Sequence, residues 1–281
     1  MPYAILCFAL FPLATFRIPA PIVFANSPLS AGDVTVRPEP AAALLVPLIV
    51  AAVLAVIGSQ FAADAKQSPR VVGALAGGLR MFLVASVLAI LGGVIVLGQR
   101  PDLRETIAGL SERVYGYRLS AETAAVNSAT WVLVPSMGAC DAVHGLSAET
   151  LDLVCYQSFP QAGGTFGRAP APYYLFLLVP AIAALLGGAR AGRRADARTQ
   201  KGAVGIGALA GIVFAVIVAF ASAASSIVVS GVIAGRTFSF SAGPDVVSGA
   251  LLALAWGCAG GAIGGAIGGR VTFEDGETLA A

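Results

Sequence analysis

The side chains best suited to chemistry fall close together in the middle of the chain: Cys140, Asp141, His144, Asp152 and Cys155. His144 is the only histidine. With Cys140 and Cys155 it offers three metal ligands at most, and Asp141 or Asp152 would have to supply a fourth. Zinc sites carry paired Cys or His at tight spacing, and that pairing is missing here, so no metal is expected. Cys140 and Cys155 read instead as a disulfide formed in an oxidising compartment. Such a bridge would close a short loop and contribute roughly 3 kcal/mol.

Nucleophilic catalysis has no better footing. Val134–Gly138, "VPSMG", is not the Gly-x-Ser-x-Gly elbow, and no strand is expected before it. "GIGALAG" at Gly205–Gly211 imitates a dinucleotide fingerprint, but it follows an arginine-rich loop and continues as an apolar run. A fingerprint needs a preceding strand and phosphates arriving from water. No Walker motif is present. We therefore expect no catalytic residues, no cofactor and no enzyme activity.

Composition turns attention to the membrane. The chain has 281 residues, 57% hydrophobic and 11% charged, with a mean hydropathy of +0.85. Soluble domains carry about 25% charged residues. A protein of this size could not bury so much apolar surface in its own core, so lipid must cover part of it. The net charge of +2 and the lack of a basic stripe with aromatics argue against nucleic acid.

Five apolar stretches approach the roughly 20 residues that cross a bilayer: Ala41–Phe61, Arg80–Gly98, Tyr173–Gly188, Gly202–Ala224 and Val246–Gly269. They are continuous rather than alternating, which disfavours a β-barrel. Lys66, Arg70 and Arg80 flank the first loop, and Arg190, Arg193, Arg194, Arg198 and Lys201 fill the third. Both loops are expected inside by the positive-inside rule. The segment Gln99–Pro172, with five Arg against seven Asp and Glu, is expected outside, and the C-terminus is expected in the cytoplasm. Residues before Ala41 then begin outside. Tyr3–Phe16 is an apolar run of signal-peptide length, with a small-residue site at Val23–Ala25. It reads as a cleaved signal, a re-entrant segment or a mis-assigned start.

A repeat is visible. "LLVP" at Leu44–Pro47 recurs at Leu177–Pro180, Asp64–Lys66 is echoed by Asp196–Arg198, and "GALAG" at Gly73–Gly77 recurs at Gly207–Gly211. The order is kept and the offset is nearly constant, as for a duplicated two-helix hairpin. Pro47 and Pro180 then occupy matching places and are expected to kink their helices. The outside segment reads as helical, with an amphipathic helix over Leu103–Tyr117 and shorter ones near Ala121–Val134 and Ala148–Gln157, Ser120 and Ser147 serving as N-caps.

The expected fold is an all-α integral membrane protein. About five transmembrane helices form a bundle, as two repeated hairpins plus a fifth helix, under a small helical extracytoplasmic cap. Its parts are a signal-like or re-entrant segment and linker (1–40), a first hairpin (41–98), the cap (99–172), a second hairpin (173–232), and an outer loop, glycine-rich span and cytoplasmic tail (233–281). Asp, Glu and Lys are missing from the five spans, which counts against ion-coupled transport. Ser222, Ser225 and Ser226 could line a polar path, or bond between or within helices.

The last span carries the sharpest pattern. Gly260, Gly264 and Gly268 recur every four residues, as do Gly257, Gly261, Gly265 and Gly269. Both rows run along nearly one helix face, where glycine lets another backbone approach closely. The helix received there could come from this chain or from a second copy. The expected partners are therefore the lipid bilayer and either a homo-oligomer or another membrane protein. The expected function is that of a non-catalytic membrane protein acting through helix packing and assembly, and the alternative is a passive channel or permease component.

Overall fold

In the computed structural model, four of the apolar runs form long helices, each able by length and composition to cross a membrane. The structure describes residues 16–18, 34–38, 69–99, 129–145, 151–155, 171–194, 199–233 and 236–278, together with Pro101, Arg104, Glu105 and Gly109. The first expected span with Pro47, the first copies of two repeat matches and most of the amphipathic segment at 103–117 lie outside the described residues.

Helix α1 covers Pro69–Gln99, α2 Ala129–Ser136, α3 Leu178–Arg194, α4 Gln200–Ser225 and α5 Val246–Thr278. A 3-10 turn at Ala171–Leu177 leads straight into α3. Local chemistry sets their starts. Pro69 takes the first position of α1, where its missing N–H costs nothing. Thr199 caps α4, its hydroxyl accepting from Gly202 N at 3.1 Å. Asp245 caps α5, its carboxylate accepting from Val247 N at 2.9 Å and Ser248 N at 3.0 Å. Pro180 stands in the first turn of α3, where no helical N–H partner is needed, so it marks the change from 3-10 to α geometry rather than a mid-span kink.

Helix α1 begins eleven residues before the expected Arg80 boundary. Its opening turns, with Gly73, Ala74, Ala76, Gly77, Gly78 and Leu79, are buried. A Cβ placed on Gly77 would lie 2.6 Å from Ala191 Cβ and 2.9 Å from Gly187 O. At the other end of the same pair, Gly92 meets the Phe176 ring. Helices α1 and α3 are thus antiparallel. Helix α5 runs antiparallel to α4, with Gly257 against Gly211 and Gly265 against Ala203, and parallel to α3, with Gly260 against Ala184 and Gly264 against Ala189. Phe214, Met81, Leu133, Val134 and Val218 are fully buried in the centre.

The bundle therefore has two unlike ends. One collects the start of α1, the arginine-bearing end of α3 and the start of α4. The other carries strands, and these correct the all-α expectation. Strands β1 Phe16–Ile18, β2 Val34–Pro38, β3 Cys140–His144, β4 Leu151–Cys155, β5 Ile227–Ile233 and β6 Arg236–Pro244 form a six-stranded sheet in the order β1-β2-β5-β6-β3-β4. Every neighbouring pair is antiparallel. The helix expected over Ala148–Gln157 is corrected by β4. "LDLVC" can satisfy its backbone by pairing with β3, and that pairing overrides a local capping signal. The outer loop expected after residue 233 is β6, where "TFSFS" alternates small polar with aromatic residues. Phe238 and Phe240 share one face, their ring centroids 6.1 Å apart.

Candidate functional site

Two places in this fold hold unusual chemistry: the junction between sheet and helices, and the glycine face of α5.

The junction is built around α2. Its last four residues, Leu133–Ser136, are buried, and Gly138, with φ of 100°, turns the chain into β3. Two indoles fasten α2 and this turn to the bundle. Trp131 Nε1 donates to Ser225 O at 3.2 Å, and Trp256 Nε1 donates to Met137 O at 3.0 Å. The backbone of Asp245 donates to Cys140 O at 2.9 Å. Strand β3 is thereby joined to the residue that caps α5.

Asp141 sits next to that joint. It is 2% exposed, and its Oδ1 has no hydrogen-bond partner among the described residues. Its ladder neighbour on β6 is Pro244, which has no N–H to offer. Burial pushes the carboxyl from its ordinary 3.8 up to about 8, so at neutral pH it is an uncharged acid. Other buried polar groups adjoin the same end of the bundle: Ser136, Ser222 and Ser226. A Cβ on Gly243, the residue before Pro244, would collide with the Ser226 hydroxyl. Ser225 Oγ and Ser226 Oγ both donate to Ser222 O, at 3.0 and 3.2 Å, and Ser136 Oγ donates to Leu133 O at 2.6 Å. These hydroxyls are bonded back to their own helices. Ser222 Oγ is buried without a partner among the described residues.

Of the residues singled out for chemistry, Cys140 and Cys155 are directly opposite in the β3–β4 register, and Cys140 is disulfide-bonded. His144 is exposed at the end of β3. Among the described residues no group of three or more His, Cys, Asp and Glu side chains is placed to hold a metal ion. Asp141, which the sequence offers only as a spare ligand, is the buried acid among the described residues. The signal available for it was its place inside an apolar run, "ACDAV".

The glycine face of α5 divides its work between two neighbours. Gly257, Gly261 and Gly265 face Gly211, Gly207 and Ala203 of α4, and Gly261 and Gly265 also receive Gly188 and Gly192 of α3. Gly260, Gly264 and Gly268 face Ala184, Leu185 and Ala189 of α3. Gly269 is buried at the end of the first row. A Cβ on Gly257 would come within 2.8 Å of Gly211 Cα, and one on Gly260 within 2.6 Å of Ala184 Cβ. Cys258 adds a polar tie across the seam, its thiol donating to Ala208 O at 3.4 Å. Ile263 and Ile267 point away from the seam, 57% and 54% exposed. The helices received on this face thus belong to the same chain.

The sequence matches no family model, no curated protein and no solved structure.

Proposed function

We propose that this chain is a non-catalytic, multi-pass cell-membrane protein. In this reading a five-span bundle holds an extracytoplasmic sheet for assembly with a second copy or with another membrane protein. The observation that carries it is the glycine seam. Because α3 and α4 occupy the glycine rows, the bundle closes on itself, and assembly falls to what remains outside it. The outermost strands, β1 and β4, each have one neighbour in the sheet among the described residues, and an open edge is a template for another strand.

The fifth span is proposed for Ala41–Phe61. Strand β2 ends at Pro38 in the sheet, and α1 starts at Pro69 at the opposite end of the bundle. The connection between them contains the apolar stretch Ala41–Phe61, long enough for one crossing. With the arginine-bearing end in the cytoplasm, the sheet is extracytoplasmic and the chain ends inside.

Native mass in mild detergent tests the assembly. The wild type is expected above its monomer mass of 28.2 kDa. Strand β4 is an edge of the sheet among the described residues, and a charge there opposes pairing with another strand; Leu153→Lys is therefore expected to run as a monomer. A wild type that is monomeric with nothing bound overturns the reading. The channel alternative draws on the Ser222 hydroxyl, which has no partner among the described residues, and ion flux in proteoliposomes that is lost on Ser222→Ala would favour it.

A further inference from the structure

Helix α1 carries a straight line of exposed residues: Arg80, Leu83, Val87, Leu91 and Ile95. Leu83, Val87, Leu91 and Ile95 are each more than half exposed, and spacings of three and four keep them on one face. In a bilayer this line meets acyl chains. Arg80 is its first member, and neither an ion pair nor a hydrogen bond joins it to another described residue.

Its height along the bundle follows from the packing. Gly77 meets Ala191 and Gly187, and Gly187 in turn meets Met81. Arg80 is therefore level with the Gly187 turn of α3. Seven residues separate Gly187 from Arg194, about 10 Å at 1.5 Å per residue. Side chains on a helix lean toward its N-terminus, which for α1 is the arginine-bearing end. Extended that way, the Arg80 guanidinium reaches the level of Arg190, within reach of the headgroup layer. Arg70, Arg193 and Lys201 are exposed at the same end, where α1 and α4 both begin.

We propose that Arg80 binds the phosphate of an anionic phospholipid in the cytoplasmic leaflet, with the arginines at the end of α3 supplying the surrounding positive field. A planar guanidinium matches a phosphodiester through two parallel hydrogen bonds, and on a lipid-facing line the phospholipid is the neighbour that brings such a group. This inference rests on the membrane-spanning reading above.

The test uses the full chain in mild detergent with phosphatidylglycerol, phosphatidylcholine or inorganic phosphate added, and native mass spectrometry counts the adducts. The wild type is expected to retain phosphatidylglycerol in preference to phosphatidylcholine. Arg80→Gln is expected to lower that retention about tenfold, as loss of one charge-assisted pair does. Arg80→Lys keeps part of it, and Leu83→Ala, on the same line, leaves it unchanged. Equal retention by wild type and Arg80→Gln overturns the proposal, as do equal binding of phosphatidylcholine and full competition by inorganic phosphate. A change in native mass on Arg80→Gln with no change in lipid count also overturns it, and points to acids of a second copy. Alkaline carbonate extraction separates the two readings. Release of the wild type from membranes overturns the spanning topology itself, whereas retention confines a failed lipid result to this site.

Discussion

Replacing Asp141 with Asn tests whether the sheet–bundle junction is held together by a neutral acid. Unfolded, Asp141 loses its proton near the ordinary 3.8; folded, it holds the proton up to about 8. Between those values the folded state binds one more proton than the unfolded state, so stability falls as pH rises. Over about four pH units at about 1.4 kcal/mol each, the loss totals roughly 6 kcal/mol, present in full above pH 8 and absent below pH 4. Nothing from solvent screening reduces this much, because the residue is 2% exposed. Asn carries no charge at any of these pH values, so Asp141→Asn lacks this slope. Thermal unfolding of both proteins in the same detergent, from pH 4 to pH 9, isolates it, since every other titrating group is common to the pair. The variant should match the wild type near pH 4 and exceed it increasingly up to pH 8, with no further divergence above. Parallel curves would refute the account, because the carboxyl would then be hydrated or paired in the folded protein.

Three further outcomes follow from the packing. Gly261→Leu is expected to cost about 3 kcal/mol or more, since even a Cβ there would collide with Gly207 O and lie 2.9 Å from Met81 Cε; Ile263→Leu, exposed away from the seam, should fall within about 0.5 kcal/mol of wild type in the same melt. Trp256→Phe removes the donor to Met137 O, a bond at the buried turn, and should lower stability by about 1–3 kcal/mol. Cys140→Ser should lower the melting temperature by the equivalent of about 3 kcal/mol and abolish any effect of reductant on it.

The helices were legible because continuous apolar runs of this length admit few other structures. Their ends were less so. The expected start at Arg80 rested on a charge, yet the turns before it, Val71–Leu79, are apolar, continue the span and pack against α3 and α4. The strands escaped notice for a related reason. "CDAVH" and "LDLVC" are too short for periodicity to decide, and their partners lie far away in the chain. "TFSFS" did alternate, yet a chain dominated by spans invites a helical reading of everything between them. The glycine rows could be seen, but not that adjacent rows serve different helices, because that depends on where α3 and α4 cross. Asp141 illustrates the limit most sharply. Its type and spacing suggested a spare ligand, and only the fold reveals a buried carboxyl opposite a proline in the ladder.

The strand order β1-β2-β5-β6-β3-β4 also fixes a timetable. During synthesis β1 and β2 emerge first, then β3 and β4, and the hairpin of β5 and β6 comes last. That last hairpin occupies the middle of the sheet, with β2 on one side and β3 on the other. Until β5 and β6 follow α4, two separate hairpins wait with open inner edges, each marginal alone. Closure of the sheet thus waits for the last hairpin, and the pairings it must make are long-range and slow. A ribosome that stops before β5 leaves β2 and β3 exposed together, which gives quality control a distinctive sign of an unfinished chain.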